Sequence, residues 1–268
     1  MKQDHSFILA PRGSIPCRYV TLKMTKEIKK WWEDNSKTFQ KESKVPIGIT
    51  YGPAMPNESK LNLMGNLKGK NVLEIGCGGA QCGIGFAKEG ANVIGIDLSK
   101  EQLKYAQKLA DKNKVKIKLL QGDIVTLPQI KSNSQDIVFS SWALLYVSDI
   151  KKCFKEVYRV LKKKGIFVFS TRHPFWKVID SKTQRVKRCY FETGRYQNFY
   201  NGIYVSYHHT VSEIINELIS LGFLIERIEE PDPRKIDKNT SKEIVPEVYK
   251  RKTMKKIPQT IIFKARKP

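Results

Sequence analysis

Hydrophobic positions change period repeatedly along the chain, and the changes mark out its elements. Asn71–Ile75 (NVLEI) reads as an apolar strand running into a glycine turn, Gly76–Gly79. Glycines there let a ligand approach the backbone because no Cβ intrudes. A helix is predicted over Gln81–Lys88, closed by Gly90. Gly83 and Gly85 weaken it by roughly 1 kcal/mol each relative to alanine, a cost that implies tight packing on the sheet. Asn92–Asp97 (NVIGID) is the second strand. Ser99 and Gln102 form a Ser-x-x-Gln capping box before a helix with Leu103, Ala106, Leu109 and Ala110 on one stripe. Lys116–Gln121, Asp136–Ser141 and Ile166–Ser170 are the third to fifth strands. Before the fifth, a helix opened by Ser148 buries Ile150, Phe154, Val157, Tyr158 and Leu161 and stops at Gly165. Thr210 and Glu213 box another helix, with Ile214, Ile215, Leu218 and Leu221 inward. Phe223–Ile228 and Thr260–Phe263 are the last strands. Strands alternating with amphipathic helices predict an α/β fold, a mostly parallel sheet with helices on both faces. Ligands bind such sheets at the strand carboxyl ends.

Several segments stand outside this alternation. Met1–Thr21 has no clear period and reads as an arm or an edge segment. Thr25–Phe39 is a predicted helix with Ile28, Trp31 or Trp32, Asn35 and Phe39 on one stripe. Two adjacent tryptophans cannot both lie at its centre. Val45–Glu58 is a Pro/Gly loop, and Asn57 caps a short helix to Met64, ended by Gly65. Arg172–His209 is dense in aromatics, Phe175, Trp176, Tyr196, Phe199, Tyr200 and Tyr204 among them. It suits a lid or interface, or a small hairpin packed on the core. Pro231–Pro258 is a basic, proline-punctuated excursion between the last two strands.

Composition adds one unusual feature. The 268 residues carry 49 Lys+Arg against 26 Asp+Glu, a net charge of +23. Such a surface attracts nucleic acid, anionic membrane or anionic small molecules, or it is a lysine-rich solubilising coat. Lysine predominates, and lysine is the weaker phosphate-fork residue. No apolar run spans a membrane, and the N-terminal run is too short for a signal-peptide core, so a cytoplasmic location is expected. The five cysteines are scattered without Cys/His ligand spacing, so neither a disulfide framework nor a metal site is expected. Cys77 reads as a small residue fitting its turn rather than as a nucleophile.

The glycine turn narrows the ligand. A dinucleotide fingerprint needs a third glycine where Gln81 stands, and no Gly-Lys-Ser/Thr follows for a P-loop. Glu74-Ile75-Gly76-Cys77-Gly78-Gly79-Ala80 instead resembles the first motif of class I S-adenosylmethionine-dependent methyltransferases, with alanine at the final glycine. Asp97 ending the second strand, Gly122-Asp123-Ile124, Ser140-Ser141-Trp142 and the Leu161–Phe169 helix–glycine–strand ending accompany it. More narrowly, Tyr51-Gly52-Pro53 and Arg172-His173-Pro174-Phe175 are similar to the small-molecule group around ubiquinone/menaquinone C-methyltransferases. The resemblance implies a Rossmann-like sheet of seven strands in the order 3-2-1-4-5-7-6, the last strand antiparallel. It implies residues 1–60 as an arm and cap over the cofactor, and 61–268 as the methyltransferase domain with an aromatic-rich insertion at 172–209. It also implies S-adenosyl-L-methionine as cofactor, bound by Glu74, Gly76, Cys77, Gly78, Asp97, Leu98, Gln102, Asp123, Ile124, Ser140 and Ser141.

The physical roles fit that ligand. Gly76 and Gly78 admit the methionine portion. Asp97 accepts both ribose hydroxyls, although it can also cap the following helix. Leu98 and Ile124 sandwich the adenine, and Asp123 accepts from its amine or simply closes a Gly-Asp turn. Methyl transfer is an in-line displacement that needs alignment and water exclusion; oxygen or activated-carbon acceptors also need a base. His173 is the first candidate base, against a role in orienting the Pro174 turn, and Tyr51 and His208 follow. Trp142 and Tyr146 are candidates for the acceptor wall. A small-molecule acceptor is the leading reading. An RNA methyltransferase using the basic surface is the alternative, although no Asn-Pro-Pro-Tyr follows the fourth strand. A non-catalytic binding protein on the same fold would not need so complete a cofactor set.

Overall fold

The structure is a computed structural model that describes residues 17–52, 55–180, 183–232 and 256–268. Its elements in order begin with α1 (Cys17–Ser43), α2 (Glu58–Leu61), β1 (Asn71–Ile75), α3 (Gln81–Lys88), β2 (Asn92–Asp97), α4 (Lys100–Lys112) and β3 (Lys118–Gln121). Then come β4 (Gln135–Ser141), a 3-10 turn (Leu144–Tyr146), α5 (Ile150–Val160), β5 (Leu161–Arg172) and α6 (Pro174–Val178). The chain continues through β6 (Gly194–Phe199), β7 (Ile203–His208), α7 (Val211–Ser220), β8 (Leu224–Glu229) and β9 (Thr260–Arg266).

Seven strands form one sheet in the order β3-β2-β1-β4-β5-β9-β8. With the separate β6–β7 pair left out of the count, this is the expected 3-2-1-4-5-7-6. β1 to β5 pair in parallel, and β9 runs antiparallel to both neighbours. The period of two along each strand sorts the core. Leu73, Ile75, Phe167, Phe169, Ile261 and Phe263 meet α5 and α7 on one face. Val72, Phe139, Val168 and Ile262 meet Phe86 of α3 and the Ile49–Leu67 segment on the other. Glu74 shares that second face, a buried carboxylate in an apolar strand.

Local chemistry explains the helix ends. Gly90, at φ +86°, ends α3 with paired bonds from Gly90 N to Ala87 O and from Ala91 N to Phe86 O, both 3.1 Å. The α3 glycines answer to packing. A Cβ on Gly83 would lie 2.8 Å from Glu74 Oε2, and one on Gly85 would meet the Gly48 backbone at 2.9 Å. Gly83 therefore packs on the sheet as expected, whereas Gly85 packs on the loop entering it. Asp149, not Ser148, caps α5: its carboxylate accepts from Lys152 N at 2.9 Å. The short helix after Asn57 ends at Leu61, because Asn62 turns into the left-handed region. Asn57 makes no side-chain cap there, the Glu58 carboxylate accepting from Met64 N at 2.6 Å instead. The third strand starts at Lys118 rather than Lys116. The boxes at Ser99 and Thr210 are half formed. Each hydroxyl accepts from the third helical N–H, but Gln102 and Glu213 turn their side chains elsewhere.

The segment after β5 reconciles its two readings. It is a small hairpin, β6 paired antiparallel with β7, and it closes over the strand ends beside α1. α1 starts earlier than expected, at Cys17, and crosses α4 and β7. Glu33 of α1 accepts from Lys100 N at 2.9 Å and Glu101 N at 3.1 Å, capping the start of α4. Most of Pro231–Pro258 lies outside the described residues. No helix among those described is long and apolar enough to cross a membrane.

Candidate active site

A cavity of about 660 Å³ opens at the carboxyl ends of β1, β2, β3 and β4, with the hairpin and α1 as its far walls. Its floor is the glycine turn. Gly76 and Gly78 adopt φ of +68° and +52°, a region that costs side-chain-bearing residues about 1–2 kcal/mol. A Cβ on Gly76 would sit 2.2 Å from the Ala143 Cβ. The turn is tied to β2, Gly76 N and Cys77 N both donating to Ile96 O at 2.8 and 3.0 Å.

Asp97 organises the floor. Its Oδ2 accepts from Gly78 N at 2.8 Å and its Oδ1 from Ser99 N at 2.9 Å. One carboxylate thus pins the turn and starts α4, and its pKa lies above the usual range because burial outweighs these N–H bonds. Glu74 lies beneath. Its Oε2 makes no hydrogen bond. Burial pushes its carboxyl up to about 8, opposed by the Gly83 N–H and reinforced by Asp97. A buried acid with an open lone pair, under a turn that leaves no room for a Cβ at Gly76, suits a cationic ligand.

The remaining cofactor candidates divide. Cys77, Leu98, Gln102, Asp123, Ile124 and Ser141 line the cavity. Ser140 does not: it is fully buried, and its hydroxyl donates to Ile75 O at 3.0 Å, tying β4 to β1. Asp123 closes its turn by accepting from Val125 N at 3.0 Å. The Cys77 thiol is pushed well up by burial, then by Asp97 and Glu74, which keeps it protonated. Gln40 of α1 bridges the walls, accepting from Gln81 Nε2 and donating to Gln102 Oε1, both at 2.7 Å.

None of the three candidate bases lines this cavity. The His173 ring accepts from Phe175 N at 3.0 Å through Nδ1, capping α6, and its Nε2 meets Glu230 at 2.6 Å. Burial lowers its pKa, with Glu230 acting in the opposite sense. Tyr51 is fully buried and donates to Glu58, its hydroxyl pushed far up by burial and that carboxylate. His208 bonds Tyr190 O at 2.8 Å through Nε2 and lines a small separate pocket.

The far wall is aromatic and basic. Trp31 packs at a tilt against Tyr204, centroids 5.1 Å apart, and Tyr200, 6.2 Å apart, and Trp32 meets Tyr146 edge-on at 5.6 Å. Trp142 takes φ +57° after β4, donates to Thr260 Oγ1 at 3.2 Å, and fits only because residue 52 is glycine. Sequence reasoning missed Gln40 and Ser36, both buried on α1, and Lys177, Lys187 and Arg188. Ser36 lies beside the predicted apolar stripe, and Gln40 falls one residue past the predicted helix end at Phe39, whereas α1 runs on to Ser43. The three cations lie in a segment without period.

The comparisons agree with this geometry. The methyltransferase-domain family matches residues 73–169, which run from β1 through most of β5. An uncharacterized protein of Haemophilus influenzae is 31% identical over 225 residues, 78% of this chain and 88% of that protein. The ubiquinone biosynthesis O-methyltransferase of Pelagibacter ubique is 31% identical over 56% of this chain, which spans 62% of that enzyme. Among solved structures, an S-adenosylmethionine-dependent methyltransferase from Mesorhizobium loti superposes with a TM-score of 0.62 at 27% identity, over 78% of this chain and 95% of that one. The chain belongs to the class I S-adenosylmethionine-dependent methyltransferases. S-adenosylmethionine is therefore its cofactor, and the glycine cradle with its buried acid fits that group.

Proposed function

We propose that this enzyme methylates a small-molecule acceptor seated between the α1 tryptophans and the β6–β7 hairpin. The observation that carries the reading is one continuous cavity with an acidic glycine floor and an aromatic roof. All four tryptophans of the chain, Trp31, Trp32, Trp142 and Trp176, line it. Its volume of about 660 Å³ falls in the range of sites that enclose small ligands. The ubiquinone biosynthesis O-methyltransferase among the relatives supports a small-molecule acceptor.

In this reading Gly76 and Gly78 offer bare backbone to the methionine portion, and Glu74 faces its ammonium. Asp97 has lone pairs left for the ribose hydroxyls. Leu98 and Ile124 flank the adenine, and Asp123 accepts from its amine. Bound there, the cofactor supplies an electrophilic methyl carbon on a sulfonium. The chain's own part is to align the acceptor and exclude water, which Trp31, Tyr146 and Tyr204 do from above. His173, Tyr51 and His208 hold their segments in place, since each is bonded away from the cavity.

The tryptophans give the test. Their fluorescence reports on the cavity directly. With S-adenosylhomocysteine saturating, a further change on adding an ultrafiltered metabolite fraction is expected. A change with bulk tRNA alone, weakening steeply with salt, would overturn the reading in favour of an RNA acceptor.

A further inference from the structure

Charge is divided across the cavity. Among the described residues, the acids lining it are Glu74, Asp97 and Asp123, all at the ends of β1, β2 and β3. The bases lining it are Arg172, Lys177, Lys187 and Arg188, all at or beyond the end of β5. We propose that this basic wall is an anion subsite, and that the methyl acceptor carries a carboxylate or phosphate group seated on it. The inference rests on the methyl-transfer reading of the cavity and deepens it by naming the acceptor's class.

The wall is preorganised. Arg188 Cζ lies 4.4 Å from the Tyr196 ring centroid, and Lys177 Nζ lies 5.5 Å from the same ring. Arg172 Cζ lies 5.4 Å from the Trp142 centroid. Tyr196 holds Arg188 without neutralising it and leaves that guanidinium edge available for a carboxylate or phosphate fork. Lys177 donates to Ser206 Oγ at 3.1 Å and to the Tyr207 carbonyl, both uncharged acceptors.

The cluster is also electrostatically costly without an anion. Burial, then Arg172 and Arg188, lower the Lys177 ammonium to about 7. Among the described residues, the groups facing it are Arg172 on β5, Arg188 before β6, Tyr196 on β6, and Ser206, Tyr207 and His208 on β7. None of these is a carboxylate. An anion among them would relieve the repulsion and restore the full charge on Lys177. The opposite end of the cavity, where Asp97 and Asp123 stand, repels the same anion. That polarity would orient an acceptor with its anionic end on the hairpin and its reacting atom toward the floor.

The test uses the full chain saturated with S-adenosylhomocysteine. Calorimetry compares benzoate and phenyl phosphate with their neutral counterparts, benzamide and phenol. The anionic probes are expected to bind at least about tenfold tighter. R188Q and K177Q should each weaken them roughly ten- to a hundredfold, the range for a charge-assisted hydrogen bond. Affinity for S-adenosylhomocysteine should be unchanged, which also reports that the variants fold. Lys187 is exposed, so K187Q gives a second reading without disturbing packing, with a smaller loss expected. Equal binding of charged and neutral probes, or no binding of either anion, would overturn the proposal. So would an anion preference that survives both R188Q and K177Q. A loss of S-adenosylhomocysteine affinity as large as the loss for the probes would place the cluster on the cofactor instead. Failure of the methyl-transfer reading looks different, because the wild type would then not bind S-adenosylhomocysteine.

Discussion

The substitution Asp97→Asn probes the floor of the site with little change of shape. In the wild type both carboxylate oxygens accept backbone N–H bonds, at 2.8 Å from Gly78 and 2.9 Å from Ser99. Asparagine keeps one acceptor oxygen and turns the other position into a donor. One of the two N–H groups then faces an NH₂ group, and the negative charge is lost. A charge-assisted hydrogen bond is worth about 1.5–3 kcal/mol, and about 1.4 kcal/mol is tenfold in affinity. Loss of one such bond to the ribose predicts S-adenosylhomocysteine binding weaker by roughly ten- to a hundredfold. Loss of the Ser99 contact lowers stability by about 1 kcal/mol, the usual scale for a helix start. Calorimetry gives the first quantity and urea denaturation the second. A variant that is less stable but binds S-adenosylhomocysteine with wild-type affinity would show that Asp97 only holds the turn and α4, and would refute the ribose role.

Other residues give independent tests. Gly76→Ala should destabilise by at least about 2 kcal/mol, from the left-handed backbone and from the 2.2 Å approach to Ala143; adding Ala143→Gly should recover only the second part in denaturation experiments. Glu74, held up at about 8 against an ordinary 4.5, keeps its proton in the folded chain where the unfolded chain loses it. Stability should therefore fall as pH rises from about 4.5 to about 8, by at most about 1.4 kcal/mol for each pH unit crossed, and then level. Glu74→Gln should abolish that slope in denaturation midpoints, and identical slopes in both proteins would contradict the assignment. His173→Ala should lower stability by about 1 kcal/mol through the lost α6 cap and leave S-adenosylhomocysteine affinity intact. Loss of turnover without loss of stability would return His173 to the chemistry.

The sheet was legible because its strands bury alternate residues on two packed faces, so Leu73 and Ile75 declare one core and Val72 the other. The glycine floor of the cavity was legible for a different reason. Gly76 must adopt positive φ against Ala143, and Asp97 must meet two N–H groups, so few residue types can stand at either position. Ser99 and Thr210 announced their helices because a hydroxyl cap is a local interaction. Gln102 and Glu213 were misread as its reciprocal half, since tertiary partners, Gln40 and His209, claim their side chains. The aromatic wall was legible only as an excess of aromatics. Trp31 finds Tyr204 across more than 170 positions of sequence, and no local period encodes such a meeting. His173 looked catalytic because it follows a central strand, yet its ring turns toward Phe175 N and Glu230. Position along a strand places a backbone near a site but does not aim a side chain into it.

The central claim is that the methyl group of S-adenosylmethionine leaves this cavity on a small molecule. The most direct measurement supplies the enzyme with S-adenosylmethionine carrying an isotope-labelled methyl group, together with a metabolite extract and total tRNA. Mass spectrometry then follows the label in each fraction. Label is expected on an anionic small molecule, with production of S-adenosylhomocysteine that depends on the metabolite extract. Label found only in tRNA, with none in the metabolite fraction, would contradict the claim.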